Sequence, residues 1–235
     1  MFRKKEKVVE TTTGRLPEFS YLGLNDVYMD SACQSVRPQP VIDSLTEYYE
    51  KYNACGGRVK YKWGQKVDSI IEETRAELID YLKLPARDYV CSFTLNTTYG
   101  INLILTQLKK GSFEQIVTSE IEHNSIFLPT MEFAKKHNIP RKVLKRSIKG
   151  NLEYSAPDIK NAIVVVNAVS NVDGRTLGNI KKLVDDTHRS GGIVIIDAAQ
   201  ALAHYRDLLA GVPADAFCFS AHKMYAASLG GVVIR

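Results

Sequence analysis

The stretch IVIIDAAQ places a carboxylate, Asp197, directly behind an apolar run that reads as a buried strand. A charge in that position is costly unless it has a partner. Downstream, AFCFSAHK sets Ser220, His222 and Lys223 behind a second apolar run. A lysine at a strand mouth is a candidate Schiff-base amine when desolvation or neighbouring positive charge keeps it nucleophilic. Taken singly, such a lysine is more commonly an ordinary surface residue. Two chemistries compete for Asp197. One is a metal ligand in a nucleotide hydrolase; it needs a GxxxxGK[ST] loop after an earlier strand, and the chain contains none. The other pairs the carboxylate with a cationic ring nitrogen, and Gln200, one helical turn further on, would reach a neighbouring ring substituent.

Other strand ends carry polar groups too. Thr94-Leu95-Asn96-Thr97-Thr98 precedes a helix. Hydroxyls and free amides at a helix N-terminus suit an anion, phosphate above all; simple capping by Asn96 or Thr97 is the plainer alternative. Glu122-His123-Asn124-Ser125 follows QIVTSEI, and Asn171 lies in VSNVDGR. A lone histidine at a strand end is usually a surface or capping residue, and an Asn beside Asp-Gly is ordinary turn chemistry.

The elements that must position these groups are legible from periodicity. YVCSF, QIVTSEI, RKVLKR, AIVVVNAVS, GIVIIDAAQ, AFCFS and GGVVIR read as strands. Helical spacing of apolar residues predicts helices from Pro40 through Tyr52, from Val67 to Leu82, through Ile101–Leu108, over 125–136, and around Ile180–His188. NACGGRVKYKWG separates the first two. Strands alternating with helices, several of them continuous apolar runs, imply an α/β fold: a mainly parallel sheet covered by helices on both faces. In such sheets ligands bind outside the carboxyl ends of the strands, where the polar groups above fall. No internal repeat or low-complexity linker divides the chain, so residues 28–235 are read as one domain behind an arm of residues 1–27.

Composition narrows the function classes. The chain has 235 residues, 45% hydrophobic and 24% charged, with a net charge of +5. That excess is diffuse. Arg3-Lys4-Lys5 reads as a solvated tail, and Lys109-Lys110 and Lys181-Lys182 as helix ends. With no basic stripe interleaved with aromatics, nucleic acid is not an expected partner. Of the four cysteines, Cys91 and Cys218 read as core thiols, and Cys55, beside a glycine pair, as the open one. No Cys/His spacing fits zinc, so no metal is expected. MFRKKEKVVE lacks an apolar signal core, and no run reaches membrane-spanning length. The expectation is a cytoplasmic protein with reduced thiols and no membrane contact.

In combination, YMDSACQS, TLNTTYGIN, SEIEHNSI, VSNVDGR, IIDAAQA and SAHKMY stand in the order and spacing of a known group. The chain resembles the fold-type I pyridoxal-phosphate enzymes, and within them the class V aminotransferase and cysteine desulfurase group, from Tyr28 to its C-terminus. The resemblance implies the large, cofactor-binding domain of that fold, with a seven-stranded mixed sheet. It implies pyridoxal 5'-phosphate as cofactor and an amino-acid substrate processed through a lysine aldimine. Lys223 would be the aldimine lysine and then the base that moves the Cα proton. Asp197 would pair with the pyridinium nitrogen. Gln200, with Asn171, would bond the ring phenolic oxygen, and His123 would stack on the ring. Thr97, Thr98, Ser220 and His222 would hold the phosphate.

The likeness is greatest to cysteine desulfurases. An aminotransferase or lyase of another amino acid, or a cofactor-binding fragment with little activity of its own, is the alternative. A homodimer is implied for the complete protein, and a sulfur-acceptor protein as partner if it is a desulfurase. The chain departs from the family in three places. After the lysine, Ala226-Ala227-Ser228-Leu229 replaces the usual Gly-Pro-x-Gly. CGGRVKYKWG occupies an entrance loop, where Arg58 or Lys60 would meet a substrate carboxylate, exposed loop charges being the plainer reading. The small C-terminal domain, with its substrate-binding arginine and persulfide cysteine, has no counterpart before Arg235; a fragment, an incomplete product or a natural short form would each account for that.

Overall fold

A computed structural model describes residues 16–23, 27–57, 60–109 and 111–235. The run Arg3-Lys4-Lys5, most of the expected arm, Arg58 and Lys110 lie outside the described residues.

The expected strands are all present: β1 (Val90–Thr94), β2 (Gln115–Ser119), β3 (Arg141–Leu144), β4 (Ala162–Asn167), β5 (Ile193–Asp197), β6 (Ala216–Ser220) and β7 (Gly230–Ile234). Between and before them run α1 (Gln39–Lys51), α2 (Lys62–Tyr81), α3 (Thr97–Gln107), α4 (Asn124–His137), α5 (Ala156–Ile159), α6 (Ile180–Arg189) and α7 (Arg206–Leu209). Of these, α5 is a single turn without apolar periodicity. It forms because Ser155 and Asp158 close a reciprocal capping box. No helix among the described residues is long and apolar enough to cross a membrane.

The strands form one seven-stranded sheet in the order β1-β7-β6-β5-β4-β2-β3. Strands β2 to β6 pair in parallel, and β7 runs antiparallel between β1 and β6. The sheet is therefore mainly parallel and mixed, as expected. Its two faces follow from strand alternation. Val164, Val166, Val194, Ile196, Phe217 and Phe219 face one core, with Ile79 of α2 and Leu183 of α6. Ile163, Val165, Ile195, Ala216 and Cys218 face the other, against Ile101 and Ile104 of α3 and Ile126 and Phe133 of α4. Burial on both sides explains why these strands read as continuous apolar runs.

Two reversals of direction at β7 turn β1 parallel to β6, so the carboxyl ends of β1, β2, β4, β5 and β6 share one edge. The glycine pair that opens β7 belongs to this edge. A Cβ on Gly230 would lie 2.5 Å from Asn96 Cα and 2.5 Å from the Phe219 carbonyl oxygen. Neither backbone atom has a side chain's freedom to give way. The turn leading into α3 thus rests directly on β7, and that contact sets where Thr97 and Thr98 stand. Gly230→Ala should lower stability by about 1–3 kcal/mol, the range for overpacking a well-packed site, measured as a reduced urea midpoint at unchanged slope.

Candidate functional site

The strand mouths border a cavity of about 480 Å³. Thr97, Thr98, His123 and Asn171 line it, as do Asp197, Gln200, Ser220, His222 and Lys223. The nine residues assigned to the cofactor in the sequence therefore meet in one place. Lys60, the described member of the expected entrance pair, is exposed and does not line the cavity.

Asp197 ends β5 and is 5% exposed. One carboxylate oxygen accepts the Ala199 amide at 2.9 Å, and the other accepts the Ser125 hydroxyl at 2.9 Å. No ion pair among the described residues includes it. Burial pushes its pKa up; the Ala199 amide and Ser125 hydroxyl, then the Lys223 and His123 charges, pull against that. The carboxylate is hydrogen-bonded but has no paired counter-charge, in a wall that opens on a cavity.

His123 caps α4 with its ring. Nδ1 accepts the Ser125 amide at 3.0 Å, which leaves Nε2 as the ring's N–H donor. Ser125 Oγ lies 2.9 Å from the same nitrogen while donating to Asp197. One serine thus fixes both the ring and the carboxylate. Sequence reasoning missed Ser125; its signal was a hydroxyl in the first turn of a helix that starts at a strand mouth.

At the start of α3, Asn96 is the cap and accepts the Tyr99 amide at 2.8 Å. The Thr97 amide donates to Ser220 Oγ at 2.9 Å, and the two hydroxyls lie 2.7 Å apart. The Thr98 amide has no protein acceptor among the described residues. A capped helix that still offers an amide and paired hydroxyls to a cavity is suited to an anion.

Lys223 is half-buried in a short 3-10 turn behind β6. The turn is anchored by the segment after residue 27. The His222 carbonyl accepts the Ser35 amide at 2.9 Å and the Ser35 hydroxyl at 2.9 Å, and Arg37 reaches it at 3.4 Å. The Tyr225 amide donates to Ser35 Oγ at 2.8 Å. Burial, followed by the Lys223 and Arg37 charges, lowers the His222 pKa and favours a neutral ring. Gln200 is partly committed, since its Nε2 donates to the Ala32 carbonyl at 2.7 Å.

The same segment brings Asp30, Ala32 and Cys33 into the cavity wall. Cys33 is exposed, as is Cys55, so the sequence identified only one of two open thiols. Cys91 and Cys218 are buried as expected, and burial raises both thiol pKa values, that of Cys91 to about 11. Among the described residues no cluster of His, Cys, Asp and Glu is placed to hold a metal ion.

Behind the wall lies a buried ionic network absent from the sequence reasoning. Glu122 and Arg146 pair at 3.4 Å with side chains 0% and 1% exposed. The Asn167 amide donates to Glu122 Oε2 at 2.8 Å, and Ser119 donates to Oε1. Burial raises the Glu122 pKa to about 7 against the pull of Arg146, Ser119 and Asn167. Nothing local marks Arg146, a basic residue two positions beyond the end of β3.

The strand mouths of this mainly parallel α/β sheet thus carry a buried acid, a lysine and a helix start with a free amide around one cavity. Residues 27–235 match the family model Aminotransferase class-V, and the chain belongs to that family. It is 32% identical over 204 residues to a probable cysteine desulfurase of Pyrococcus abyssi, covering 84% of this chain and 50% of that protein. It is also 32% identical over 224 residues to a probable cysteine desulfurase of Haemophilus influenzae, covering 92% and 50%. The chain spans about half the length of these relatives. The apo cysteine desulfurase of Thermococcus onnurineus NA1 superposes with a TM-score of 0.75 at 30% identity, over 88% of this chain and 53% of that one. A NIFS-like protein shares the fold with a TM-score of 0.76 at 19% identity, over 89% and 59%.

Two outcomes follow from the buried acids. Asp197→Asn should raise the stability of the cofactor-free protein by on the order of 1 kcal/mol, because it removes an uncompensated buried charge; thermal unfolding at neutral pH measures it. Glu122 contributes stability that is full below its ordinary value of 4.5 and is lost as pH rises through about 7. Glu122→Gln should therefore flatten the fall in stability across that window, as urea midpoints at successive pH values would record.

Proposed function

We propose that residues 28–235 form the cofactor-binding domain of a pyridoxal-phosphate enzyme that acts on an amino acid, of the cysteine desulfurase type. The observation that carries this reading is Asp197: a buried carboxylate without an ion pair, in the same cavity as Lys223. A pyridinium nitrogen supplies the missing cation, and a phosphate suits the free Thr98 amide beside the Thr97 and Ser220 hydroxyls. Bound there, the cofactor supplies an electron sink for a carbanion at the substrate Cα.

The roles of the chain's own groups follow from their placement. Asp197 holds the ring nitrogen proton, and Ser125 keeps that carboxylate aimed. His123 offers its ring to the cofactor face, oriented by the Ser125 amide. Lys223 would hold the cofactor through its amine and would take or return a proton at the substrate Cα. Gln200 keeps one amide proton for the ring oxygen after bonding Ala32, and Asn171 lies at the same rim. Thr97, Thr98 and Ser220 take the phosphate, with His222 beside them.

The desulfurase assignment leans on the relatives being probable cysteine desulfurases; transamination or elimination on another amino acid is the second reading. A homodimer in the cytoplasm, and a sulfur-acceptor protein as partner, belong to the same proposal. Incubation with pyridoxal phosphate, reduction with borohydride and peptide mapping test it. A pyridoxyl group on Lys223, absent from Lys223→Ala, is the expected result; no adduct on Lys223 would overturn it. Release of sulfide or persulfide specifically from cysteine then separates the desulfurase from the aminotransferase.

A further inference from the structure

Asn167 ends β4 and stands opposite Asp197 in the parallel register. It is 3% exposed and lines the cavity. Its side-chain amide is held on two sides. Oδ1 accepts Arg146 Nη2 at 2.8 Å, and Nδ2 donates to the Ile121 carbonyl at 2.8 Å. The orientation has no alternative. A guanidinium only donates and a carbonyl only accepts, so flipping the amide would break both bonds. One Nδ2 proton is used on Ile121. The second has no protein acceptor among the described residues.

Arg146 does not itself line the cavity. It reaches Asn167 twice, at Oδ1 and at the backbone oxygen at 2.6 Å, and Ser119 Oγ at 3.2 Å. Glu122 balances its charge. As a stabilising device the arrangement is poor, because Arg146 Nη1 is buried with no partner and buried ion pairs seldom outweigh their desolvation. What it does accomplish is to fix the orientation of one amide in the cavity wall, with Oδ1 turned to Arg146.

We propose that Asn167 contacts the occupant of the cavity through its free amide N–H, and that Arg146, balanced by Glu122, is the positioning residue that turns this donor inward. Asn167 thereby sets a hydrogen-bond donor beside the Asp197 acceptor. The matching ligand carries an anionic oxygen near a cationic N–H. This inference rests on the cofactor reading above.

The test uses the whole chain and pyridoxal phosphate as probe. Arg146→Met alone strands the Glu122 carboxylate and risks misfolding, so the informative variant is Glu122→Gln with Arg146→Met, which removes both charges. Its urea midpoint should stay near the parent's while its dissociation constant for pyridoxal phosphate rises roughly tenfold, the worth of one hydrogen bond. Asn167→Leu should show a similar loss, and the triple variant no further loss, because Arg146 acts only through Asn167. Parental affinity in the double variant, or losses that add in the triple, overturns the proposal while leaving the cofactor reading intact. If the parent binds no pyridoxal phosphate, the cofactor reading and the proposed contact both fail. The clamp itself is then still decided in the cofactor-free chain by NMR. Asn167 side-chain amide protons should exchange slowly in the parent and fast in the double variant; equal rates would overturn the positioning role.

Discussion

An acid without a counter-ion organises this molecule. Asp197 is carried into the interior by β5, whose residues before it face two hydrophobic cores. Two hydrogen bonds, from Ala199 and Ser125, hold the carboxylate in place but do not neutralise it. Burying such a group costs several kcal/mol, and its raised pKa is the sign of that cost. The acid borders a cavity rather than closed core, which leaves room for a partner outside the chain. The surrounding elements serve that position: α4 begins where Ser125 can reach both Asp197 and His123, and β6 ends where Lys223 enters the same cavity.

The opposite wall of the cavity is set by close packing. Gly230 lets the turn before α3 press onto β7, and this brings Thr97 to Ser220 at 2.7 Å. The N-terminal segment completes the cavity from outside the sheet. Ser35 and Arg37 hold the His222 carbonyl, and Gln200 holds Ala32. Parts of the chain roughly 190 positions apart therefore share one wall, joined by Ser35 and Tyr225.

Much of this was legible before any coordinates. The seven strands were readable because strands buried on both faces are short apolar runs, and turn residues bound them. The candidates at their ends were readable because parallel strands place polar residues at one edge. The residues that were missed share a property. Ser125, Asn167 and Arg146 take their roles from partners in other elements, and nothing in their immediate neighbours signals those partners. Arg146 is the clearest instance: in RKVLKR it reads as a solvated strand-end charge, whereas in the fold it is almost wholly buried against Glu122 and Asn167.

The amino-acid sequence by itself determined the α/β class, the succession of elements and the chemistry offered at the strand mouths. Those depend on periodicity and on residue type, which are local properties of the chain. Only the tertiary structure decided that β7 inserts antiparallel between β1 and β6, that Ser125 ties His123 to Asp197, and that Arg146 sets the orientation of Asn167. These are contacts between groups brought together by strand order and register. Their energies depend on burial and geometry that no stretch of sequence contains.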